Sequence, residues 1–309
     1  MTILLFPGQG SQKVGMAKDL AEQFPEARAT FNEIDAALGT PLSEMMFDGP
    51  EDALTLTQNA QPAILAHSAA VLAVLRGELG TVVAAAGHSL GEYSALVASG
   101  VFRATDAARL VRRRGELMFA AGQARPGAMA AVLGLESAAV QSACAEAQGD
   151  GAGVVVAANL NSPDQTVISG DPAAVTRAGE LCQAAGAKRV LPLKVSGAFH
   201  SPLMEPAVAP LRSAIGDATL RASAFPIVAN VTADRAQEAD VIASLLVSQL
   251  TAPVRWWESM RRLAELHPDA RWLEIGPGSV LTGLLKRIVP TAPCTALGTV
   301  SQLEAFLAT

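Results

Sequence analysis

Much that would direct the reading elsewhere is scarce or missing from this sequence. It has three cysteines in 309 residues, Cys144, Cys182 and Cys294, an odd number with no CxxC spacing. That argues against a disulfide framework and for reduced, structural thiols in a reducing compartment. The four histidines, His67, His88, His200 and His267, are dispersed and form no HExxH, so no metal is expected. No apolar stretch approaches bilayer length, and the first one, residues 3–6, is too short for a signal-peptide core and has no basic segment before it. The expected product is a soluble cytoplasmic protein with no membrane partner. Basic residues number 23 against 29 acidic ones, a formal net charge of −6, so nucleic acid is not an expected partner either. Internal repeats and low-complexity tracts are absent. The loop Gly8-Gln9-Gly10-Ser11-Gln12 stops short of G-x-G-x-x-G, because Lys13 holds the third glycine position, and there is no Walker A sequence.

Half of the residues are hydrophobic, ample for a sizeable core. The length fits one large domain, or one domain carrying an insertion. Residues 2–6 and 82–86 read as buried strands; 16–38, 62–79, 90–98 and 105–121 read as helices. This alternation predicts an α/β fold with a parallel sheet covered on both faces. The middle differs: strand 128–133, helix 137–148, strands 154–158 and 165–169 joined by a turn over 161–164, helix 173–185, strand 189–195. That β-α-β-β-α-β order is the split motif of ferredoxin-like domains. The domain expectation is therefore a core from 1–123 and 196–309 with a small subdomain at 124–195. Strands 226–230 and 272–275 and helices 240–249, 256–266 and 280–288 complete the pattern.

The sharpest local signal is Gly87-His88-Ser89-Leu90-Gly91, a G-x-S-x-G between a predicted buried strand and a predicted helix. A serine on so tight a turn projects its hydroxyl from the sheet, and the helix start behind it offers amide donors to a developing oxyanion. A serine nucleophile needs a base. His88 adjoins Ser89 and is expected to point elsewhere; His67 lies in an apolar helix and reads as core; His267 ends a polar helix and reads as solvated. His200 follows a predicted strand in a loop, where α/β sheets place reactive groups. Asp150, Asp164 and Asp171 between Ser89 and His200 all fall in the insertion, so a dyad is expected, its imidazole oriented by a carbonyl or an amide side chain. In the run Arg109–Arg114, Arg114 falls within the apolar stripe of its helix at three and four residues from Leu110, Val111, Leu117 and Met118. A guanidinium buried there needs an anionic partner: a structural ion pair, or a substrate carboxylate.

Taken together, Phe6-Pro7-Gly8-Gln9-Gly10-Ser11-Gln12, Gly87-His88-Ser89-Leu90-Gly91-Glu92-Tyr93, Arg113-Arg114-Gly115, Asn159-Leu160-Asn161-Ser162-Pro163, Gly197-Ala198-Phe199-His200 and Glu274-Ile275-Gly276-Pro277-Gly278 resemble, in this order, the malonyl-CoA:acyl-carrier-protein transacylases of fatty acid synthesis and the acyltransferases of polyketide synthases. The resemblance implies an α/β-hydrolase-like core with a ferredoxin-like insertion, and malonyl transfer from malonyl-CoA to an acyl carrier protein with no cofactor beyond the coenzyme A thioester. It implies Ser89 as nucleophile, His200 as base, Arg114 as clamp for the malonate carboxylate, and the amides of Gln9 and Leu90 as the oxyanion hole. Gln249 matches the residue whose carbonyl orients the histidine. Asn159 and Asn161 match a loop at the entrance. Phe199 resembles the malonyl-selective pattern, where methylmalonyl-selective relatives typically carry serine. A monomer is expected. The rival readings are a stand-alone acyltransferase of a polyketide synthase, a serine thioesterase or hydrolase, and a non-catalytic scaffold.

Overall fold

The strands are β1 (Thr2–Phe6), β2 (Val82–Gly87), β3 (Ala128–Leu133), β4 (Val155–Ser162), β5 (Gln165–Gly170), β6 (Arg189–Pro192), β7 (Ile227–Val228), β8 (Arg235–Ala236), β9 (Arg271–Ile275) and β10 (Cys294–Leu297). They form two sheets in a computed structural model that describes residues 1–308. The larger sheet runs β10-β9-β1-β2-β7-β8, parallel except at the edge pair β7–β8. Its two central strands, β1 and β2, are apolar apart from Thr2 because both faces are covered. The period of two along β1 divides its side chains: Leu4 and Phe6 join the core under helices Thr57–Val74 and Ala104–Ala124, whereas Ile3 and Leu5 join the one under Trp256–Leu266 and Val280–Ile288.

The smaller sheet is antiparallel in the order β4-β5-β3-β6. Helices Ser137–Gly149 and Pro172–Ala184 pack on one face, burying Cys144 and Cys182. From the other face Met129 and Val167 join the main core. The chain leaves and re-enters the larger body along two closely packed passes. A Cβ on Gly122 would come within 2.0 Å of the Ser196 carbonyl oxygen, and one on Gly127 within 2.5 Å of Ala198 Cβ. A third tie is main-chain pairing: Leu160 N–H donates to Val254 O at 2.9 Å and Val254 N–H to Ala158 O at 2.8 Å. It sets the end of β4 beside the larger sheet.

Several sequence expectations shift. The helix predicted over 16–38 breaks at Phe24, which is extended because Pro25 follows it, into Lys18–Gln23 and Pro25–Leu38. The helix predicted from 62 starts at Thr57 and ends at Val74, with Pro62 inside it. β6 ends at Pro192 instead of 195, and β4 runs on to Ser162, leaving Pro163 and Asp164 as the turn. Helices Leu42–Asp48, Glu51–Thr55, Glu205–Gly216 and Val300–Leu307 and strands β8 and β10 were not anticipated. Among the described residues no helix is long and apolar enough to cross a membrane.

Candidate active site

β2 delivers the chain to Ser89 and the helix Gly91–Ala98 carries it away. Ser89 stands at φ 50°, a left-handed conformation that β-carbon-bearing residues rarely adopt. The turn closes only because its flanks are glycine: a Cβ on Gly87 would lie 1.9 Å from the Gly91 carbonyl, and one on Gly91 would lie 2.1 Å from Phe6 O. Side chains hold the turn from below. Ser89 N–H donates to Asn230 Oδ1 (2.8 Å), Asn230 Nδ2 donates to Gly87 O (2.7 Å), and Gln249 Nε2 donates to Ser89 O (3.1 Å).

His200 also has positive φ, at 56°. Its Nε2 lies 2.7 Å from Ser89 Oγ and its Nδ1 lies 2.8 Å from Gln249 O. A carbonyl can only accept, so Nδ1 carries the proton and the Nε2 lone pair faces the serine hydroxyl. Burial, then the nearby charge of Arg114, push the imidazole pKa down to about 3, although the bond to Gln249 pulls it upward. The ring is therefore neutral. No aspartate orients it, as the dyad expectation required.

Arg114 is buried at 1 % exposure, while Arg112 is half-buried and Arg113 exposed, as the helical spacing predicts. Its hydrogen-bond partners are all neutral: Nη1 donates to Gln61 Oε1 (2.7 Å), and Nη2 to Gln249 Oε1 (2.8 Å) and Ser89 Oγ (3.2 Å). Its Nε is buried without a partner. The Tyr93 ring centroid lies 5.6 Å from Cζ. Burial lowers the guanidinium pKa, against the pull of Tyr93 and Glu92. Glu92 is buried too, its carboxyl pushed up to about 7 by desolvation despite donors from Gln249 and Asn230.

Ser89, His200 and Arg114 open into one cavity of about 280 Å³, also lined by Gln9, Leu90, Asn159 and Phe199. Among the described residues, the main-chain N–H groups of Gln9 and Leu90 have no protein acceptor. Asn161 is not at this cavity: its Oδ1 accepts from His88 Nε2 at 2.8 Å, a contact between β4 and the turn. That bond also turns His88 away from Ser89. His67 is core, with Nε2 2.8 Å from Gly298 O and its pKa pushed down to about 4 by burial. His267, expected to be solvated, is half-buried with Nε2 covered, and its main-chain N–H closes the helix on Leu263 O at 2.9 Å. Among the described residues no group of three or more His, Cys, Asp or Glu side chains is placed to hold a metal ion.

An acyl transferase domain matches residues 3–305. The chain is 46 % identical over 284 residues to the malonyl CoA-acyl carrier protein transacylase of Bacillus subtilis (strain 168), covering 92 % of this chain and 89 % of the relative. Identity to the Escherichia coli (strain K12) protein of that name is 46 % over 305 residues, covering 98 % and 97 %. The chain belongs to the malonyl CoA-acyl carrier protein transacylase family. A malonyl-transacylase solved in complex with its type II PKS acyl-carrier protein superposes with a TM-score of 0.93 at 44 % identity, over 99 % of both chains.

The sequence singles out Ser89, His200 and Arg114, which meet in one cleft of this transacylase-family chain, but not the buried polar residues that hold them: Thr57, Gln61, Asn230 and Glu92. Their signal was a polar residue inside an apolar run, such as Asn230 closing 226–229, which demands a partner that spacing alone cannot name. The neutrality of His200 is measurable. Histidine NMR is expected to find no titration of this ring between about pH 5 and 8. A midpoint near the ordinary imidazole value would contradict the buried environment described.

Proposed function

We propose that this chain transfers a malonyl group from malonyl-CoA to the phosphopantetheine thiol of an acyl carrier protein, through an acyl intermediate on Ser89. The observation that carries the proposal is the position of Ser89 Oγ, 2.7 Å from a neutral imidazole nitrogen and 3.2 Å from a buried guanidinium. His200 Nε2 takes the hydroxyl proton as Oγ attacks the thioester carbonyl. The free N–H groups of Gln9 and Leu90 are the candidate oxyanion donors. The carbon–sulfur bond breaks, and Nε2 passes the proton to the departing sulfur, so that coenzyme A leaves as its thiol and the imidazole is neutral again. The carrier thiol then gives its proton to the same nitrogen, attacks the acyl-serine and returns the Ser89 hydroxyl. No cofactor takes part.

Arg114 supplies the selectivity. Its partners in the resting site are neutral oxygens and its Nε is free, so a malonate carboxylate adds the counterion that the buried charge lacks. A neutral acyl group cannot. Phe199 walls the cavity next to His200, where its bulk limits branching at the acyl α-carbon; Asn159 borders the entrance, and Asn161 acts behind it through His88. The finer description of the fold belongs to this reading: an α/β-hydrolase-like core at 1–123 and 196–309, with 124–195 as a ferredoxin-like insertion. The order β4-β5-β3-β6 supports the second half of it. A carrier protein of polyketide synthesis is the second reading of the partner, favoured by the type II PKS complex. The chemistry is the same for either carrier.

Intact-mass measurement after mixing with malonyl-CoA is expected to find one malonyl adduct on the wild-type chain and none on Ser89→Ala; an adduct on the variant would remove Ser89 from its role. Arg114→Ala is expected to slow malonyl transfer roughly 10- to 100-fold, the worth of charged hydrogen bonds, with much less effect on acetyl transfer. Equal losses for both acyl groups would make the arginine structural. Phe199→Ser is expected to raise methylmalonyl transfer relative to malonyl by about tenfold, the scale of one methyl group in a tight pocket. An unchanged ratio would take Phe199 out of substrate choice.

A further inference from the structure

A chain of buried hydrogen bonds runs from the arginine to the opposite wall of the cavity. Arg114 Nη1 donates to Gln61 Oε1 at 2.7 Å, Gln61 Nε2 donates to Thr57 Oγ1 at 2.9 Å, and Thr57 Oγ1 donates to Gln9 Oε1 at 2.8 Å. Thr57 and Gln61 are fully buried. The direction of the chain is fixed at its charged end. A guanidinium only donates, so Gln61 must face it with oxygen. That turns the amide NH₂ of Gln61 towards Thr57, whose own proton is then left for Gln9. Reversing the amide of Gln61 would set its NH₂ against the guanidinium, donor against donor.

The contact exists because of Gly115. A Cβ there would lie 2.5 Å from Gln58 Cα and 2.8 Å from Thr57 O, so only glycine lets the helix of Arg114 lie against the first turn of Thr57–Val74. At the far end, a Cβ on Gly8 would lie 2.4 Å from His88 O, so the loop of Gln9 rests directly on the turn that presents Ser89.

We infer that Thr57 is a positioning residue for acyl selection: its hydroxyl joins the carboxylate-binding arginine to the oxyanion-forming loop, so that the two are held in one register. The inference rests on the malonyl-transfer reading above. Valine at this position keeps the volume but leaves Gln61 Nε2 with only Met118 Sδ, at 3.4 Å, and takes from Gln9 Oε1 the protein donor that ties its loop to the chain.

The test compares Thr57→Val with Thr57→Ser, measuring acylation of Ser89 by malonyl-CoA and by acetyl-CoA in a rapid quench. Thr57→Val is expected to slow malonyl acylation about 3- to 10-fold, the worth of one internal hydrogen bond, and to lower the malonyl-to-acetyl ratio. Thr57→Ser, which keeps the hydroxyl, is expected to restore both. Should Thr57→Val not fold, Gln9→Ala cuts the same chain at an exposed residue and is expected to lower the ratio likewise. A ratio that stays at the wild-type value, or a serine variant that falls as far as the valine one, overturns the inference. A wild-type chain that takes no malonyl label instead defeats the parent reading, so the two failures are distinguishable.

Discussion

A guanidinium sealed in the interior without a carboxylate in hydrogen-bond contact is the constraint to which the rest of the site answers. Burying such a charge is costly unless acceptors surround it. Arg114 meets this demand with two glutamine oxygens, the serine hydroxyl and the face of Tyr93. Each acceptor is neutral, so the charge is solvated without being cancelled. Glu92 stands one amide further off, joined through Gln249, whose Nε2 donates to Glu92 at 2.7 Å while its Oε1 accepts from Arg114 at 2.8 Å. The interposed amide keeps carboxylate and guanidinium apart, leaving the positive charge available to a ligand.

The same glutamine ties this charge to Ser89. Its side chain reaches the carbonyl of Ser89 and its main-chain carbonyl holds His200. Asn230 completes the support from the other side of the turn. Of the four non-glycine residues with positive φ among the described residues, Ser89 and His200 are the two that meet, and strain of this kind persists where surrounding bonds over-determine the backbone. The elbow is thus a strained turn fixed by buried amides, with glycine on both sides where packing leaves no room for a side chain.

The sequence made legible whatever depends on local pattern. β1 and β2 were visible as apolar runs, the turn at Ser89 as glycine spacing, and the burial of Arg114 as its place in a helical stripe. Helix ends around proline were less legible: Pro25 split one helix, while Pro62 sat inside another, because the tolerance of a proline depends on packing around it. Glu205–Gly216 was hidden by its own prolines, Pro206 and Pro210. β7 and β8 have only two residues each and exist through their neighbours, so no periodicity marks them. The bonds of Gln61, Thr57, Asn230 and Glu92 span up to 157 residues of sequence, and their partners are fixed only by the fold. Asn161 was assigned to the entrance by resemblance, and its bond to His88 places it one layer behind.

The imidazole rests on a peptide carbonyl where many serine enzymes use an aspartate. A carboxylate would stabilise the ring once protonated; a carbonyl does so far less, and Arg114 opposes it further. Under the proposed mechanism, imidazolium is a short-lived proton carrier. That suits sulfur chemistry, since a thiol with an ordinary pKa of about 8.5 departs readily as its anion and asks little help from an acid. An amide nitrogen would need a firmer hold on the proton. The orienting group is also part of the polypeptide backbone, so no side-chain replacement at position 249 can delete it.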